Sequence, residues 1–385
     1  MPNLILLSLL AAFPPLAIDM YLPAMPTLQV VWSVPFGVIN LSLVVFIVIF
    51  SACLLIHGPL SDRFGRRPVL ISGILLFILG SLLCAASDSI AFLLFSRAIQ
   101  GAGAAAAASL SLALSKDLYD GVERQKILAY IGVIMAFCPM LAPTLGGIML
   151  RFGSWQWIFI VQSIMALVAL YGVLRLKEPL TEFTHGGVLA VAGRYVAVFK
   201  NGRFTVLALA FAIMVLPHFG FIGGSADIYI NGFAMSEHIF GLYFGANAVG
   251  FMLGSFACTR LGGSLKPMHI LYFSLCAIFG AGILMLFLGG TSPLAVAIPM
   301  FCITFSVGFS RPVSNSMILD QVDSDVGAAS GVMTFEMFFV GAMSMEFISL
   351  DWPNKPMVLG LLALTGAAIP LGTLFIMRVI GRRRT

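Results

Sequence analysis

The chain has 385 residues, of which 60% are hydrophobic and 10% are charged, and its formal net charge is +5. Soluble domains carry about 25% charged residues to cover their wetted surface, so this composition excludes an ordinary soluble domain. The basic residues are scattered over short segments between apolar runs, which argues against a nucleic-acid-binding surface. The six cysteines fall singly within apolar runs, so neither a metal site nor a disulfide framework is predicted.

Apolar runs recur along the chain at the length that a membrane crossing needs. A bilayer core of roughly 30 Å takes about 20 apolar residues per helical crossing. The first run lacks a basic flank and a cleavage site, so we interpret it as a helix rather than as a signal peptide. The sequence predicts an all-α membrane protein with twelve transmembrane helices, near residues 4–24, 38–57, 68–87, 90–115, 126–150, 155–175, 204–228, 238–259, 268–289, 293–318, 326–350 and 356–378.

The longest polar stretch falls between the sixth and seventh predicted helices. It predicts an N-terminal six-helix bundle at residues 1–177, a cytoplasmic linker at 178–203 and a C-terminal six-helix bundle at 204–385. The segment GPLSDRFG at 58–65 is echoed by GSFACTRLG at 254–262, which supports a pseudo-symmetric pair of bundles. Lys and Arg gather in alternate loops and in the C-terminal cluster Arg382 to Arg384. The positive-inside rule then places both termini in the cytoplasm.

The segment GPLSDRFGRRP at residues 58–68 follows the second predicted helix. It resembles the G-x-L-x-D-R-x-G-R-R/K signature of major facilitator transporters. A plain basic loop would explain the arginines, but not the acid and the two glycines at these spacings. The resemblance implies a cytoplasmic gate in which Arg66 pairs with Asp117, while Asp62 faces the positive end of the helix that begins near residues 325–327. The gate residues are Gly58, Asp62, Arg63, Gly65, Arg66 and Asp117.

Two further elements lie in the fourth and fifth predicted helices. Arg97 begins the segment RAIQG, which is similar to the family's R-x-x-x-G element. A charge within a span costs at least ~2.5 kcal/mol on insertion scales, so it should face a protein cavity, where a purely structural ion pair is the alternative to a functional role. The segment PMLAPTLGG at residues 139–147 resembles the G-P-x-x-G-G element of exporters, although alanine replaces the leading glycine. A kinked, closely packed helix would also use its residues Pro139, Pro143, Gly146 and Gly147.

The first predicted helix contains the segment IDMYLPAMP at residues 18–26. This segment resembles the first-helix signature of the Bcr/CflA branch of drug:proton antiporters, which includes bicyclomycin and chloramphenicol exporters. FGLYFGANA at 240–248 and GAASG at 327–331 resemble the same branch, so the resemblance covers nearly the whole chain. It implies a multi-pass protein of the bacterial inner membrane that exports small amphipathic drugs, with the H⁺ gradient as energy source and no cofactor. We expect a monomer surrounded by membrane lipids.

Acids inside the membrane are the candidates for coupling transport to protons. Burial disfavours a charged carboxylate and a neighbouring cation favours it, so the two together leave an acid poised to exchange its proton. Asp19 with Arg97 fits this scheme best. The resemblance assigns Asp19 the competitive binding of protons and of cationic or polar substrates. Gln100 and Tyr21 are polar groups that could orient a substrate.

Other charged residues leave alternatives open. Glu336 is either a further proton and substrate site that shapes specificity, or an acid hydrogen-bonded to a neighbouring helix. Asp227 and Glu346 are expected near the outer surface as vestibule residues. Arg311, followed by Pro312, either meets an anionic substrate or extends towards cytoplasmic water.

Other classes of function require sequence motifs of their own. A transporter of an endogenous metabolite, such as an amino acid, would use the same machinery and differ only in its cavity. An enzyme would need clustered His, Asp or Glu at ligand spacing, as in H-E-x-x-H, which the sequence lacks. It also lacks the nucleotide motif G-x-x-x-x-G-K-[ST], so the energy comes from a gradient, and the resemblance favours H⁺ over Na⁺. The sequence therefore predicts a secondary transporter without metal or nucleic-acid partners, rather than an enzyme.

Overall fold

The computed structural model describes residues 2–180, 188–322 and 325–382. Within them, twelve helical segments are long and apolar enough to cross a membrane, which confirms the predicted all-α fold class. The first span combines α1 with α2, the seventh combines α9 with α10, and the others are single helices. The helices are α1 (Pro2–Asp19), α2 (Met25–Trp32), α3 (Phe36–Phe64), α4 (Arg66–Ala85), α5 (Ile90–Leu118), α6 (Gly121–Phe152), α7 (Gln156–Arg175), α8 (Val188–Lys200), α9 (Gly202–Ile213), α10 (Leu216–Ala226), α11 (Glu237–Leu261), α12 (Pro267–Leu288), α13 (Pro293–Leu319), α14 (Val326–Ser349) and α15 (Lys355–Arg382).

The predicted linker at residues 178–203 is described only in part, because residues 181–187 lie outside the described residues. Its second part forms α8, which the polar sequence did not predict. Arg383 and Arg384 of the basic C-terminal cluster also lie outside the described residues.

Contacts divide the chain into two compact units. The first comprises residues Met1–Val191 with Ser236–Gly245, and the second comprises Ala192–Met235 with Ala246–Thr385. In the first unit α5 packs against α3 and α4, and α1 packs against α5 and α6. In the second unit α12 packs against α13 and α15, and α10 packs against α14.

The first span is broken in its middle. Helix α1 ends at Asp19, a short 3₁₀ turn covers Leu22–Ala24, and α2 follows. Pro23 has no N–H, so it cannot continue the α-helical hydrogen bonding to the carbonyl of Asp19. The N–H of Tyr21 donates to the carbonyl of Ile18 at 3.2 Å, in the tighter 3₁₀ pattern. The carbonyl of Ala17, which an unbroken helix would pair with Tyr21, is therefore left for another donor.

Glycines allow close helix contacts in both units. A Cβ atom on Gly101 of α5 would lie 2.6 Å from the carbonyl oxygen of Phe46 in α3. A Cβ atom on Gly360 of α15 would lie 2.9 Å from the carbonyl oxygen of Gly282 in α12. Any larger residue must push the backbones apart, as in other helix pairs that pack through small residues within a membrane.

We expect Gly101→Ala to lower the free energy of unfolding by about 1–3 kcal/mol, because the added methyl group has no space against α3. The matched control is Gly132→Ala in α6, where a Cβ atom would meet nothing within 4 Å. The control should be neutral or stabilising, since alanine favours a helix over glycine by up to about 1 kcal/mol. Thermal unfolding of the purified protein in detergent compares the two, and equal midpoints would contradict this account of α3–α5 packing.

Candidate functional site

Arg97 of α5 is completely buried in the first unit. Its Nη1 atom donates to the carbonyl of Ala17 at 3.0 Å and to Oε1 of Gln100 at 2.5 Å. Its Nε atom lies 3.3 Å from the carbonyl of Ser42 in α3. The Ala17 carbonyl is the one that the break in the first span leaves free. The local sequence around the prolines therefore creates an acceptor for the buried guanidinium.

Aromatic rings enclose the same guanidinium. Its central carbon lies 4.4 Å from the ring centroid of Phe46, 5.1 Å from that of Tyr21 and 5.9 Å from that of Phe159. A cation over an aromatic face is attracted by the ring quadrupole, most strongly where water is excluded. The charge of Arg97 is thus stabilised by carbonyl dipoles and rings, while its Nη2 atom has no hydrogen-bond partner among the described residues.

Gln100 extends this network to two more helices. Its Nε2 atom donates to the hydroxyl of Ser81 in α4 and to Oε1 of Gln162 in α7, both at 2.8 Å. Gln162 in turn donates to the carbonyl of Leu16 in α1 at 3.1 Å. Gln162 was not among the predicted site residues, although an amide in the middle of the apolar segment WIFIVQSIMAL is a visible signal. Five helices, α1, α3, α4, α5 and α7, meet in one buried polar network.

Asp19 lies at the end of α1 and is 4% exposed. Among the described residues, no hydrogen bond or ion pair joins its carboxylate to Arg97, so the structure does not pair the two as the coupling scheme suggested. Tyr21 is fully buried, and its hydroxyl lies 2.9 Å from that of Ser42. The structure therefore brings Tyr21 and Gln100 to Arg97, while Asp19 stands apart at the helix break.

The exporter-like segment lies in α6, and one of its glycines reaches the same break. A Cβ atom on Gly146 would lie 2.9 Å from Cγ of Pro23 and would also meet the carbonyl of Met20. Glycine thus lets α6 approach the irregular backbone that follows Asp19. Pro139, Pro143 and Gly147 lie within the same helix.

The signature segment at residues 58–68 connects α3 and α4. Gly65 has φ of +97°, a conformation that favours glycine. Nε of Arg66 lies 2.8 Å from Oδ2 of Asp117 at the end of α5, and Nη1 of Arg66 pairs with Asp62. The same Nη1 atom lies 2.6 Å from the hydroxyl of Ser61. Arg66 is therefore the centre of a group of charges at one end of the first unit.

The remaining gate residues are peripheral to this group. The guanidinium carbon of Arg63 lies 5.2 Å from the centroid of the Phe64 ring. A Cβ atom on Gly58 would meet nothing within 4 Å. The expected contact between Asp62 and the start of α14 would join the two units, and it stays a prediction.

Glu178 completes the arrangement. It was not among the predicted gate residues, because its position in the sequence assigned it to the linker. Its two carboxylate oxygens accept hydrogen bonds from the backbone N–H groups of Arg66 and Arg67, each at 2.9 Å. These N–H groups lie at the N-terminus of α4, so they have no acceptor within the helix, and a negative charge is stabilised there. Nη2 of Arg67 also donates to the carbonyl of Leu174 at 2.9 Å. The carboxylate leaves no room for a side chain at Gly65, because a Cβ atom there would lie 2.7 Å from Oε2 of Glu178.

In the second unit the acids have different surroundings. Glu336 of α14 is 9% exposed, and its Oε2 atom has no hydrogen-bond partner among the described residues. Asp227 forms an ion pair with Lys355 and accepts a hydrogen bond of 2.6 Å from Nδ2 of Asn231. This pair lines a cavity of about 430 Å³. Lys355 compensates the charge of Asp227, which makes Asp227 a poor candidate for proton coupling.

Within the described residues, no three His, Cys, Asp or Glu side chains are grouped as metal ligands.

We expect Arg97→Lys to destabilise the protein by about 1–3 kcal/mol, because an ammonium cannot replace the several directed donors of a guanidinium. The control is Arg151→Lys at the exposed end of α6. Thermal unfolding in detergent should show a lower midpoint for Arg97→Lys alone. An unfolding midpoint like that of the control would mean that the positive charge of Arg97, rather than its directed N–H donors, stabilises the polar network.

We expect Glu178→Gln to lower stability by about 1 kcal/mol, since one of the two carboxylate acceptors at the N-terminus of α4 becomes a donor. Glu123→Gln is the control, because Glu123 is exposed in the first turn of α6. Hydrogen exchange of the Arg66 and Arg67 amides should accelerate in Glu178→Gln and stay unchanged in the control. Unchanged exchange in both variants would show that Glu178 does not cap α4.

Comparison with known proteins agrees with this architecture. Residues 7–345 match the model of the Major Facilitator Superfamily. The uncharacterized MFS-type transporter YdgK of Bacillus subtilis is 30% identical over 98% of this chain and 92% of its own length. The multidrug resistance protein MdtL of Escherichia coli is 28% identical over 83% of this chain and 81% of its own.

Solved structures show the same fold at low sequence identity. The crystal structure of a D-xylose-proton symporter has a TM-score of 0.73 at 15% identity and covers 96% of both chains. The human organic anion transporter MFSD10 has a TM-score of 0.70 at 19% identity and covers 96% of this chain and 98% of its own. With twelve spans, a family match over most of its length and these relatives, the chain belongs to the Major Facilitator Superfamily of membrane transporters.

Proposed function

We propose that this transporter exports small amphipathic drugs in exchange for protons, and that the carboxyl group of Asp19 binds a proton and a substrate alternately. The observation that carries this proposal is the placement of Asp19. Its buried carboxyl group lies at the break in the first span, unpaired with the buried cation of the same unit.

The way in which Arg97 is held supports this role. Carbonyl groups and aromatic rings stabilise the guanidinium, so Asp19 is not needed as its permanent counter-ion. A buried carboxylate without a fixed cation needs a proton or a charged or polar ligand to offset its desolvation. Asp19 can therefore exchange one for the other. The free Nη2 donor of Arg97 offers a second polar contact for the substrate.

Competition for one carboxyl group is sufficient to couple the two gradients. If the substrate binds only when the proton has left, and the proton binds only when the substrate has left, each lowers the affinity of the other by the same factor. Alternating access to the two sides of the membrane then converts inward proton movement into outward substrate movement. The irregular backbone after Asp19 is tolerated within a membrane because it is buried in protein, where Tyr21, Leu22 and Ala24 are fully buried.

The relatives support the direction and the substrate class. MdtL of Escherichia coli is named a multidrug resistance protein, and the exporter-like α6 packs through Gly146 on the break beside Asp19. The bacterial relatives favour a bacterial inner membrane, and the distribution of basic loops favours cytoplasmic termini. On this orientation the charges around Arg66, with Asp62, Asp117 and Glu178, form a cytoplasmic latch that holds one conformation until the substrate and the proton exchange.

We expect Asp19→Asn to abolish substrate-induced proton release. The purified transporter, in weakly buffered detergent solution, is mixed with chloramphenicol or with tetraphenylphosphonium while the pH is followed. The wild type should release protons as the compound binds. Release should decline as the starting pH is raised, because the carboxyl group has then lost its proton before the compound arrives.

The matched control is Asp227→Asn, which removes a carboxylate whose charge Lys355 already compensates. This variant should release protons as the wild type does. If the wild type binds a compound without releasing a proton, or if Asp19→Asn releases as many, Asp19 is not the coupling residue. Testing Glu336→Gln in the same assay then shows whether the second buried acid takes that role.

A further inference from the structure

Arg311 lies within the membrane-spanning helix α13 of the second unit. Among the described residues, its guanidinium forms no ion pair and donates no hydrogen bond to a side chain or carbonyl group. A cation within a span is expensive unless it pairs with something, and Arg97 is held by main-chain carbonyl groups and aromatic rings. Arg311 is partly exposed and lines a cavity, so its guanidinium is accessible to a ligand.

The guanidinium lines a cavity of about 130 Å³ within the second unit. At about 10–15 Å³ per water-sized position, this volume has room for roughly ten such positions. One wall is apolar, with Phe211 and Met214 from the seventh span and Met333 and Met337 from α14. The cavity can thus hold the body of a small organic molecule as well as its charged group.

A second polar group lies beside the cation. Asn315 follows Arg311 by four residues on α13, so the two share one face of the helix, and both line the cavity. The amide of Asn315 makes no hydrogen bond to another described residue. A guanidinium fork and an amide N–H group together match the oxygens of a carboxylate. The cavity lining contains no acidic residue.

We propose that this cavity binds an amphipathic monoanion, with its carboxylate on Arg311 and Asn315 and its apolar body against the methionines and Phe211. The site lies wholly in the second unit and does not depend on the coupling role of Asp19. It gives the transporter a place for a class of compounds that a lone buried carboxyl group would repel. It also accounts for an arginine that neither the coupling scheme nor the latch uses.

The test measures binding of benzoate and of its neutral isostere benzamide to the purified full-length protein in uncharged detergent at neutral pH, by equilibrium dialysis. The wild type should bind benzoate at least roughly tenfold more tightly than benzamide, because a hydrogen bond to a charged group is stronger than one between neutral groups. Arg311→Gln should lose roughly tenfold or more in benzoate affinity while its affinity for benzamide changes little.

Arg260→Gln is the matched control, because Arg260 is exposed in the last turn of α11 and its loss changes the net charge equally. It should bind benzoate as the wild type does. Asn315→Ala provides a milder variant if Arg311→Gln does not fold, and it should also weaken benzoate binding. Equal affinity of the wild type for the two probes, no benzoate binding, or unchanged binding in both cavity variants would overturn the proposal.

Anionic lipid is the competing source of a negative charge. The dialysis is repeated with the protein in nanodiscs with and without phosphatidylglycerol. Benzoate binding that persists without phosphatidylglycerol and depends on Arg311 supports the proposal. If phosphatidylglycerol raises the unfolding midpoint through Arg311 while benzoate does not bind, the arginine anchors a lipid and the proposal is wrong. Failure of benzoate binding leaves proton release through Asp19 unaffected, so the two proposals are tested separately.

Discussion

The first unit is organised around one buried guanidinium. Arg97 has no carboxylate partner in the described part of the chain, and its charge is spread over main-chain carbonyls, an amide and aromatic faces. Those acceptors come from α1, α3 and α5, so satisfying the cation fixes the relative positions of three helices. The break in the first span is part of this arrangement, because it supplies the carbonyl of Ala17. A straight helix would have used that carbonyl internally.

The same break places Asp19 next to irregular backbone. Pro23 ends the regular hydrogen bonding of α1, and Gly146 allows α6 to pack against the turn that results. A buried acid, a held cation and a close helix contact are therefore consequences of a few residues near one point. Because these three features depend on neighbouring residues, one short sequence segment carries much of the functional signal. It also separates two tasks, since Arg97 holds the scaffold while Asp19 stays available to exchange ligands.

Elsewhere in the chain, several charged side chains are paired with side chains of opposite charge. At the α3–α4 connection, Arg66 pairs with acids of α3 and α5, and Glu178 satisfies the free N–H groups of α4. In the second unit Asp227 is compensated by Lys355. Glu336 contrasts with these, because its Oε2 atom lacks a hydrogen-bond partner in the described residues. Arg311 forms no ion pair within the described part of the chain and lines a cavity. An unpaired charged group within a span is costly, which makes both residues candidates for binding a transported compound.

The sequence by itself determined the number of spans, since the length and polarity of each apolar run are local properties. It also determined which residues are unusual, because an acid or arginine within such a run is visible without a structure. Only the tertiary structure decided their partners. Gln162 joined the Arg97 network, Glu178 capped α4, and Arg311 was placed at a cavity that α9 and α14 also line, whereas Asp19 and Arg97 were not paired. Such contacts join residues up to 146 positions apart in the chain, and a one-dimensional pattern does not encode which helix faces meet.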